Sequence, residues 1–364
     1  MSQRLWPSRR FQPFPAEDVT TGTYTPADAQ TAAATAVRTA DGTVHVVAGE
    51  WRDGRLQVEG SGTGLTTAEV FDADGNFLRE FGGGARFQAP LFYLGEDPLE
   101  DMKAMRETVG PDVDLQILTR SVSGVTLTGQ SLEALQLQAR LMREHGTTWD
   151  RNFDYMNDVD NLIKTGKPII DAGMHHQVCI ALMGLPFESD KVHTPEFYIN
   201  IGKRLLDSGM KIDSICLKDA SGTTDPKTIY ETAKGLKKLM PPEMILWLHT
   251  HDTASTAVAC YMAGIAAGVD GVDLSLRPMA SGTVQPDVRS LAHGLKGTGY
   301  WLDIDVSKMN ELEKMLDEAL KEYDFNPATT TANARVLVFL MPGGAIGPSV
   351  HMMVKNSNVD KSND

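Results

Sequence analysis

Apolar and polar positions alternate along this chain in two different rhythms, and they change over near residue 78. From there onward short apolar runs recur, each separated by a longer amphipathic stretch. The runs Leu78–Gly82, Leu115–Arg120, Thr147–Asp154, His176–Met183, Asp213–Asp219, Ile245–His251 and Gly271–Leu276 read as strands. Their starts lie 37, 32, 29, 37, 32 and 26 residues apart, enough for a strand plus one crossover helix, so the strands are expected to be parallel. Helix signals fall between them. Thr194-Pro195 and Asp225-Pro226 are an N-cap followed by a first-turn proline, with Gly209 and Pro241-Pro242 as the matching stops. In the stretch 131–146, Leu135, Ala139 and Met142 share one helical face. Seven such units predict an α/β fold, a (β/α)8 TIM barrel with one unit still to find upstream. An open doubly wound sheet is the structural alternative.

The upstream text does not supply that unit in regular form. Residues 20–75 are rich in Thr, Ala and Gly, and Thr43–Ala48 and Arg55–Val58 read as a hairpin around Trp51–Gly54. At the other end, Ser307–Glu322 reads as a helix, followed by a threonine-rich turn and VLVFLMPGGAIG, which resembles the start of a further helical part. The expected organisation is an atypical segment 1–77 with a degenerate first unit, a barrel over 78–305, and a truncated helical extension over 306–364.

Composition narrows the class. There are 34 basic against 48 acidic residues, a net charge of −14, which argues against a nucleic-acid surface. A hydrophobic content of 41% excludes wholesale disorder. No apolar run approaches the roughly 18 residues of a membrane span, and the first residues lack the apolar stretch of a secretion signal. Cys179, Cys216 and Cys260 each sit in an apolar segment and read as reduced packing residues. A soluble, cytoplasmic chain is expected.

Candidate chemistry gathers at the predicted strand ends. In Leu248-His249-Thr250-His251-Asp252, strand alternation puts His249 and His251 on one face and Thr250 on the other. In a barrel that face is the interior, at the mouth where catalytic groups sit. Such a pair is either half of a divalent-metal site or two neutral, hydrogen-bonded histidines. One unit earlier, Lys218 ends an apolar strand, where an ammonium needs a partner. It is paired with Asp219 or another carboxylate, or it is held uncharged, or it is modified to an anion that binds metal. Arg120 and Arg151, at the ends of earlier strands, suit either a salt bridge or a planar carboxylate substrate. Thr283, on the loop after the last strand, suits a proton relay or a helix cap.

As a set these residues resemble the carboxyltransferase domain or subunit of biotin-dependent enzymes: pyruvate carboxylase, the α subunit of oxaloacetate decarboxylase, and the metal-bearing subunit of transcarboxylase. The resemblance runs from about Glu80 to Gly344. It is carried by FGGGARF at 81–87, YLGEDPLE at 93–100, LQILTR at 115–120, RNFDYMND at 151–158, LKDASGT at 217–223, LHTHDTA at 248–254, SGTVQP at 281–286 and MPGG at 341–344. It implies a divalent metal (Zn, Mn or Co) held by His249, His251 and Lys218 as its carbamate. It further implies keto-acid contact by Arg120, a substrate and biotin pocket lined by Arg151 and Asp154, and a proton shuttle at Thr283. The reaction implied is carboxyl transfer between biotin and pyruvate or oxaloacetate.

Two departures stand out. The family's first strand carries Arg-Asp-(Ala/Gly)-His-Gln-Ser, whose Asp is the fourth metal ligand; the nearest text here is Pro26-Ala27-Asp28-Ala29-Gln30-Thr31, making Asp28 the candidate ligand and Gln30 the candidate substrate contact. The family also continues past MPGG, so biotin is expected on a separate carrier protein, with a biotin carboxylase subunit as a further partner and a homo-oligomer as the assembly. Met102-Lys103-Ala104-Met105 belongs to a barrel helix and is not a biotin-attachment motif. The rival expectations are an aldol or Claisen lyase or synthase of the same barrel type, such as hydroxymethylglutaryl-CoA lyase or isopropylmalate synthase, and an inactive family member.

Overall fold

In the computed structural model, residues 95–185, 192–321 and 330–338 are described, together with short strands between Ala36 and Gly82 and the single residues Phe87 and Leu91. Asp28, Gln30, and the MPGG segment lie outside these residues.

The predicted strands form in the predicted order. They are β6 (Phe77–Gly82), β7 (Asp114–Thr119), β8 (Trp149–Asn152), β9 (His175–Ala181), β10 (Ser214–Asp219), β11 (Ile245–Thr250) and β12 (Gly271–Val272). Each pairs in parallel with the next. The crossovers are α1 (Pro98–Val109), α2 (Leu132–Glu144), α3 (Val159–Asp171), α4 (Pro195–Asp207), α5 (Pro226–Leu239) and α6 (Ala257–Ala267). Two helices follow β12: α7 (Val288–Gly294) and α8 (Met309–Ala319), the second preceded by a 3₁₀ turn at Val306–Lys308. The helix starts follow local chemistry. Asp97, Ser131, Asp158, Thr194, Asp225 and Asp287 each accept a hydrogen bond from a first-turn backbone N–H, satisfying a donor that has no partner inside its helix.

The eighth position is irregular, as the upstream text leads one to expect. It is filled by the two-residue strand β5 (Val70–Phe71), which runs antiparallel to β6. Among the described residues no ladder joins β5 to β12. The curved parallel sheet is a TIM-barrel wall with its first stave replaced.

The N-terminal hairpins also pair differently from the expected hairpin. β1 (Ala36–Arg38) pairs with β2 (Val44–Val46), and β3 (Glu50–Arg52) pairs with β4 (Arg55–Gln57). In the second pair Arg52 stands opposite Arg55. Trp51 and Arg52 therefore belong to a strand, and Val44–Val46 takes an earlier partner.

Strand alternation divides the buried side chains into two layers. Val178, Ile180, Ile215, Leu217, Leu246 and Leu248 face outward and pack on the helical jacket, including Leu162, Leu205, Ile229 and Tyr261. Each such aliphatic side chain contributes roughly 1.5–3 kcal/mol of burial. The inward layer is smaller: Trp149, Cys179, Cys216, Ile245 and Trp247 cluster inside the barrel. All three cysteines are buried free thiols. Above that floor the interior turns polar.

Candidate metal centre and its surroundings

Lys218 on β10 stands directly opposite His249 on β11 in the parallel ladder, and opposite Ala181 on β9. The shared register aims both side chains inward, and the small Ala181 leaves them room. Lys218 Nζ lies 3.0 Å from His249 Nε2, with the lysine 6% and the histidine 3% exposed. Asp219, the neighbour that could have paired with Lys218, points the other way. Its carboxylate accepts from the backbone N–H groups of Ser221, Gly222 and Thr224 and from the Thr250 hydroxyl, and so shapes the following loop. That loop comes close to the next one. Gly222 has φ +66°, and a Cβ there would lie 2.5 Å from the His251 carbonyl oxygen.

Both imidazoles are tied back through Nδ1. His249 Nδ1 lies 2.5 Å from the Asp273 carboxylate, and His251 Nδ1 lies 2.5 Å from the Thr283 carbonyl oxygen. Both partners can only accept, so each Nδ1 carries the proton and each Nε2 keeps its lone pair. The rings are 5.1 Å apart. Burial pushes the His249 imidazole down to about 3, helped by the nearby Lys218 charge and opposed by Asp273. Burial also drives His251 well below its ordinary value, with His249 and Lys218 adding to the effect. Two neutral imidazoles with unprotonated Nε2 atoms beside an amine are a donor set that fits a divalent ion once the amine is converted to an anionic oxygen donor. Among the described residues no three His, Cys, Asp or Glu side chains make a metal site.

Asp273, Gln177 and Gln285 escaped the sequence reading, yet Asp273 and Gln285 contact His249 and Gln177 contacts Arg151. Asp273 also accepts from Trp247 Nε1 at 2.5 Å and forms an ion pair with Arg151. Gln285 Nε2 lies 3.1 Å from His249 Nε2. Arg151 Nε donates to Gln177 Oε1, and Gln116, with its amide oxygen turned inward, accepts from the same guanidinium. An acid inside the apolar run Val269–Leu276 was the available signal for Asp273, and its partners could not be assigned without the strand register.

The other predicted residues occupy distinct places. Arg151 is fully buried beneath His249. Phe153, two residues further along, places its ring 5.5 Å from Lys218 Nζ. Arg120 is half-buried at the end of β7, where its guanidinium donates to the carbonyls of Val125 and Thr126 at 3.3 and 3.1 Å. Asp154 is 5% exposed and accepts from the backbone N–H groups of Met156 and Asp158, bracing the loop after β8. Thr283 meets the centre through its backbone carbonyl.

Comparison with known proteins agrees with this geometry. The HMGL-like family matches residues 154–316. A pyruvate carboxylase subunit of Methanocaldococcus jannaschii is 32% identical over 82% of this chain and 51% of its own length. The 2-oxoglutarate carboxylase large subunit of Hydrogenobacter thermophilus is 30% identical over 82% of this chain and 44% of its own. The carboxyl transferase domain of Rhizobium etli pyruvate carboxylase, solved with 3-bromopyruvate, superposes with a TM-score of 0.69 at 25% identity, covering 77% of this chain and 47% of that one. The chain thus spans about half the length of the relatives it matches. Residues 154–316 are an HMGL-like domain on a TIM-barrel fold, and the chain that contains them is a homologue of pyruvate carboxylase subunits and of pyruvate carboxylase carboxyltransferase domains.

Proposed function

We propose that this protein is a metal-dependent carboxyltransferase moving a carboxyl group between biotin and pyruvate or oxaloacetate. The observation that carries the reading is the convergence of Lys218 Nζ on His249 Nε2 at 3.0 Å beside a second imidazole, with both Nδ1 atoms tied back. In the proposed centre His249, His251 and the carbamate of Lys218 hold the ion, and Asp28 is the candidate fourth ligand. Zinc, manganese and cobalt all suit nitrogen and carboxylate-like oxygen donors. The ion, when bound, polarises the keto-acid carbonyl and stabilises the negative charge that develops as the carboxyl group leaves or arrives.

The chain's own residues supply the rest. Arg120, at the mouth end of β7, offers a planar cation to the substrate carboxylate. The buried walls around His249 keep water from the reacting carbon, which strengthens each charge interaction there. The Thr283 hydroxyl moves a proton between biotin and the enol, while its carbonyl holds His251. Arg151 and Asp154 support the pocket from beneath and from the side. Biotin arrives on a separate carrier protein, with a biotin carboxylase subunit as a further partner and a homo-oligomer as the assembly. The catalytic barrel spans 78–305, with 1–77 supplying a degenerate first unit and 306–364 a helical extension. Among the described residues no helix is long and apolar enough to cross a membrane. The three buried free thiols suit a reducing compartment, and the proposed site of action is the cytoplasm.

A second reading, an aldol or Claisen lyase, is favoured by the HMGL-like match over the His249–His251 segment. Purified protein assayed for oxaloacetate decarboxylation with and without free biotin separates the two. Biotin-stimulated release of pyruvate, together with near-stoichiometric divalent metal, supports the transferase. Cleavage of an acyl-CoA substrate with no biotin response would replace it by the lyase. Absence of both activities and of metal would leave an inactive relative.

A further inference from the structure

A buried ion pair lies beneath the Lys218–His249 contact. Arg151, from β8, has no exposure and Asp273, just beyond β12, has 3%. They meet through Arg151 Nη1 on Asp273 Oδ2, with Nη2 at 3.4 Å from Oδ1, so both carboxylate oxygens are engaged by one planar cation. Oδ1 also accepts from Trp247 Nε1, and Oδ2 lies 2.5 Å from His249 Nδ1. The guanidinium is in turn held by Gln177. A carboxylate gripped this way cannot rotate about its bond to Cβ without breaking several hydrogen bonds.

Stability alone does not explain such a pair inside a barrel. The desolvation of two charges largely offsets their attraction, and apolar side chains of similar volume hold a fold equally well or better. What apolar residues cannot do is accept the Nδ1–H of His249. The carboxylate fixes which ring nitrogen carries the proton and the plane in which the ring lies, and both determine where the other nitrogen points.

We propose that the Arg151–Asp273 pair is a positioning device for His249, holding its Nδ1–H so that Nε2 is offered to the divalent ion shared with Lys218 and His251. Asp273 acts through the imidazole and Arg151 acts through Asp273; neither is a ligand. The inference rests on the carboxyltransferase reading for the identity of the bound ion, and on geometry alone for the ring.

Two measurements on the full chain test it. In metal-free protein labelled with ¹⁵N-histidine, long-range ¹H–¹⁵N spectra report the tautomer of each imidazole. The expected result is an Nδ1–H signature for His249 in the wild type, lost or mixed in Asp273→Asn. An Nε2–H signature in the wild type overturns the proposal. The second measurement is the affinity for zinc, manganese and cobalt in the double variant Arg151→Met/Asp273→Leu, which removes both charges together and so avoids an unpaired buried ion. Thermal stability close to the wild type, with metal affinity lowered by about 10–100-fold, is the expected outcome. Recovery of wild-type metal affinity together with stability would show a merely structural pair and overturn the proposal. The spectra do not depend on turnover. An Nδ1–H tautomer that Asp273 controls, in a protein that binds no metal, would therefore support the positioning of the ring while removing the carboxyltransferase reading.

Discussion

Lys218 and Gly222 show at the scale of single residues how tightly the centre is specified. Lys218 is a buried amine whose near neighbours are an imidazole nitrogen and the face of Phe153. In the proposed centre it is the carbamate ligand. Lys218→Ala is expected to lower metal content and oxaloacetate decarboxylation by more than the ~10–100-fold typical of losing an outer partner. Metal analysis and the decarboxylation assay on the same preparation check this, and full activity would remove the carbamate role. Gly222 combines a left-handed φ of +66° with a close approach to the His251 backbone. Gly222→Ala is expected to cost roughly 1–3 kcal/mol in chemical denaturation from backbone strain, with a further loss from the contact. Because that contact lies against the His251 loop, metal affinity should fall with it. That His249 and His251 share a face was legible from strand alternation, since period two tells which residues do, and Lys218 stood out as an amine ending an apolar strand. Asp273, Gln177 and Gln285 were not, because each is defined by what lies opposite it on another strand or loop.

At the scale of elements, the caps and the irregularity of the first stave were legible and the strand registers were not. Thr194 and Asp225 cap α4 and α5 as their sequences indicate. Between β7 and β8, the Thr119 hydroxyl donates to Asp150 at 2.6 Å across the outward face of the sheet. Burial pushes the Asp150 carboxyl up to about 7 from its ordinary 3.8, against the opposing effect of Thr119. The folded chain therefore holds a proton that the unfolded chain releases between about pH 4 and pH 7. This group's contribution is fully present below that window and is lost as pH rises through it, on the order of 4 kcal/mol. Other carboxylates act in the opposite sense, so the test is a difference. The stability of the wild type relative to Asp150→Asn, from urea melts at several pH values, should decline between pH 4 and pH 7 and be flat above about pH 8. A difference independent of pH would show that Asp150 is ionised in the folded protein throughout.

At the scale of the whole molecule, the proposed metal centre joins β10, β11 and the loop after β12, all in the later half of the barrel. A metal that binds only the folded chain stabilises it by mass action, about 2.7 kcal/mol at a free concentration one hundred times the dissociation constant. Removal of metal by a chelator should thus lower the melting temperature, and readdition of zinc, manganese or cobalt should restore it. The same treatment of Lys218→Ala should shift nothing. A wild-type melting curve indifferent to both chelator and metal would speak against a site in this barrel.

Local physics determined a great deal here. Spacing announced parallel strands with crossover helices, alternation sorted inward from outward residues, and side-chain chemistry at the helix starts marked where each crossover begins. These are properties of neighbouring residues, and neighbours along the chain are enough to state them. Only the tertiary structure decided that Asp273, not Asp219, is the carboxylate beside His249. Only it decided that Arg151 lies wholly inside the barrel, and that a two-residue antiparallel strand stands where the first stave belongs. Those outcomes depend on the register between strands far apart in sequence, which is fixed by how the inward side chains pack across the barrel.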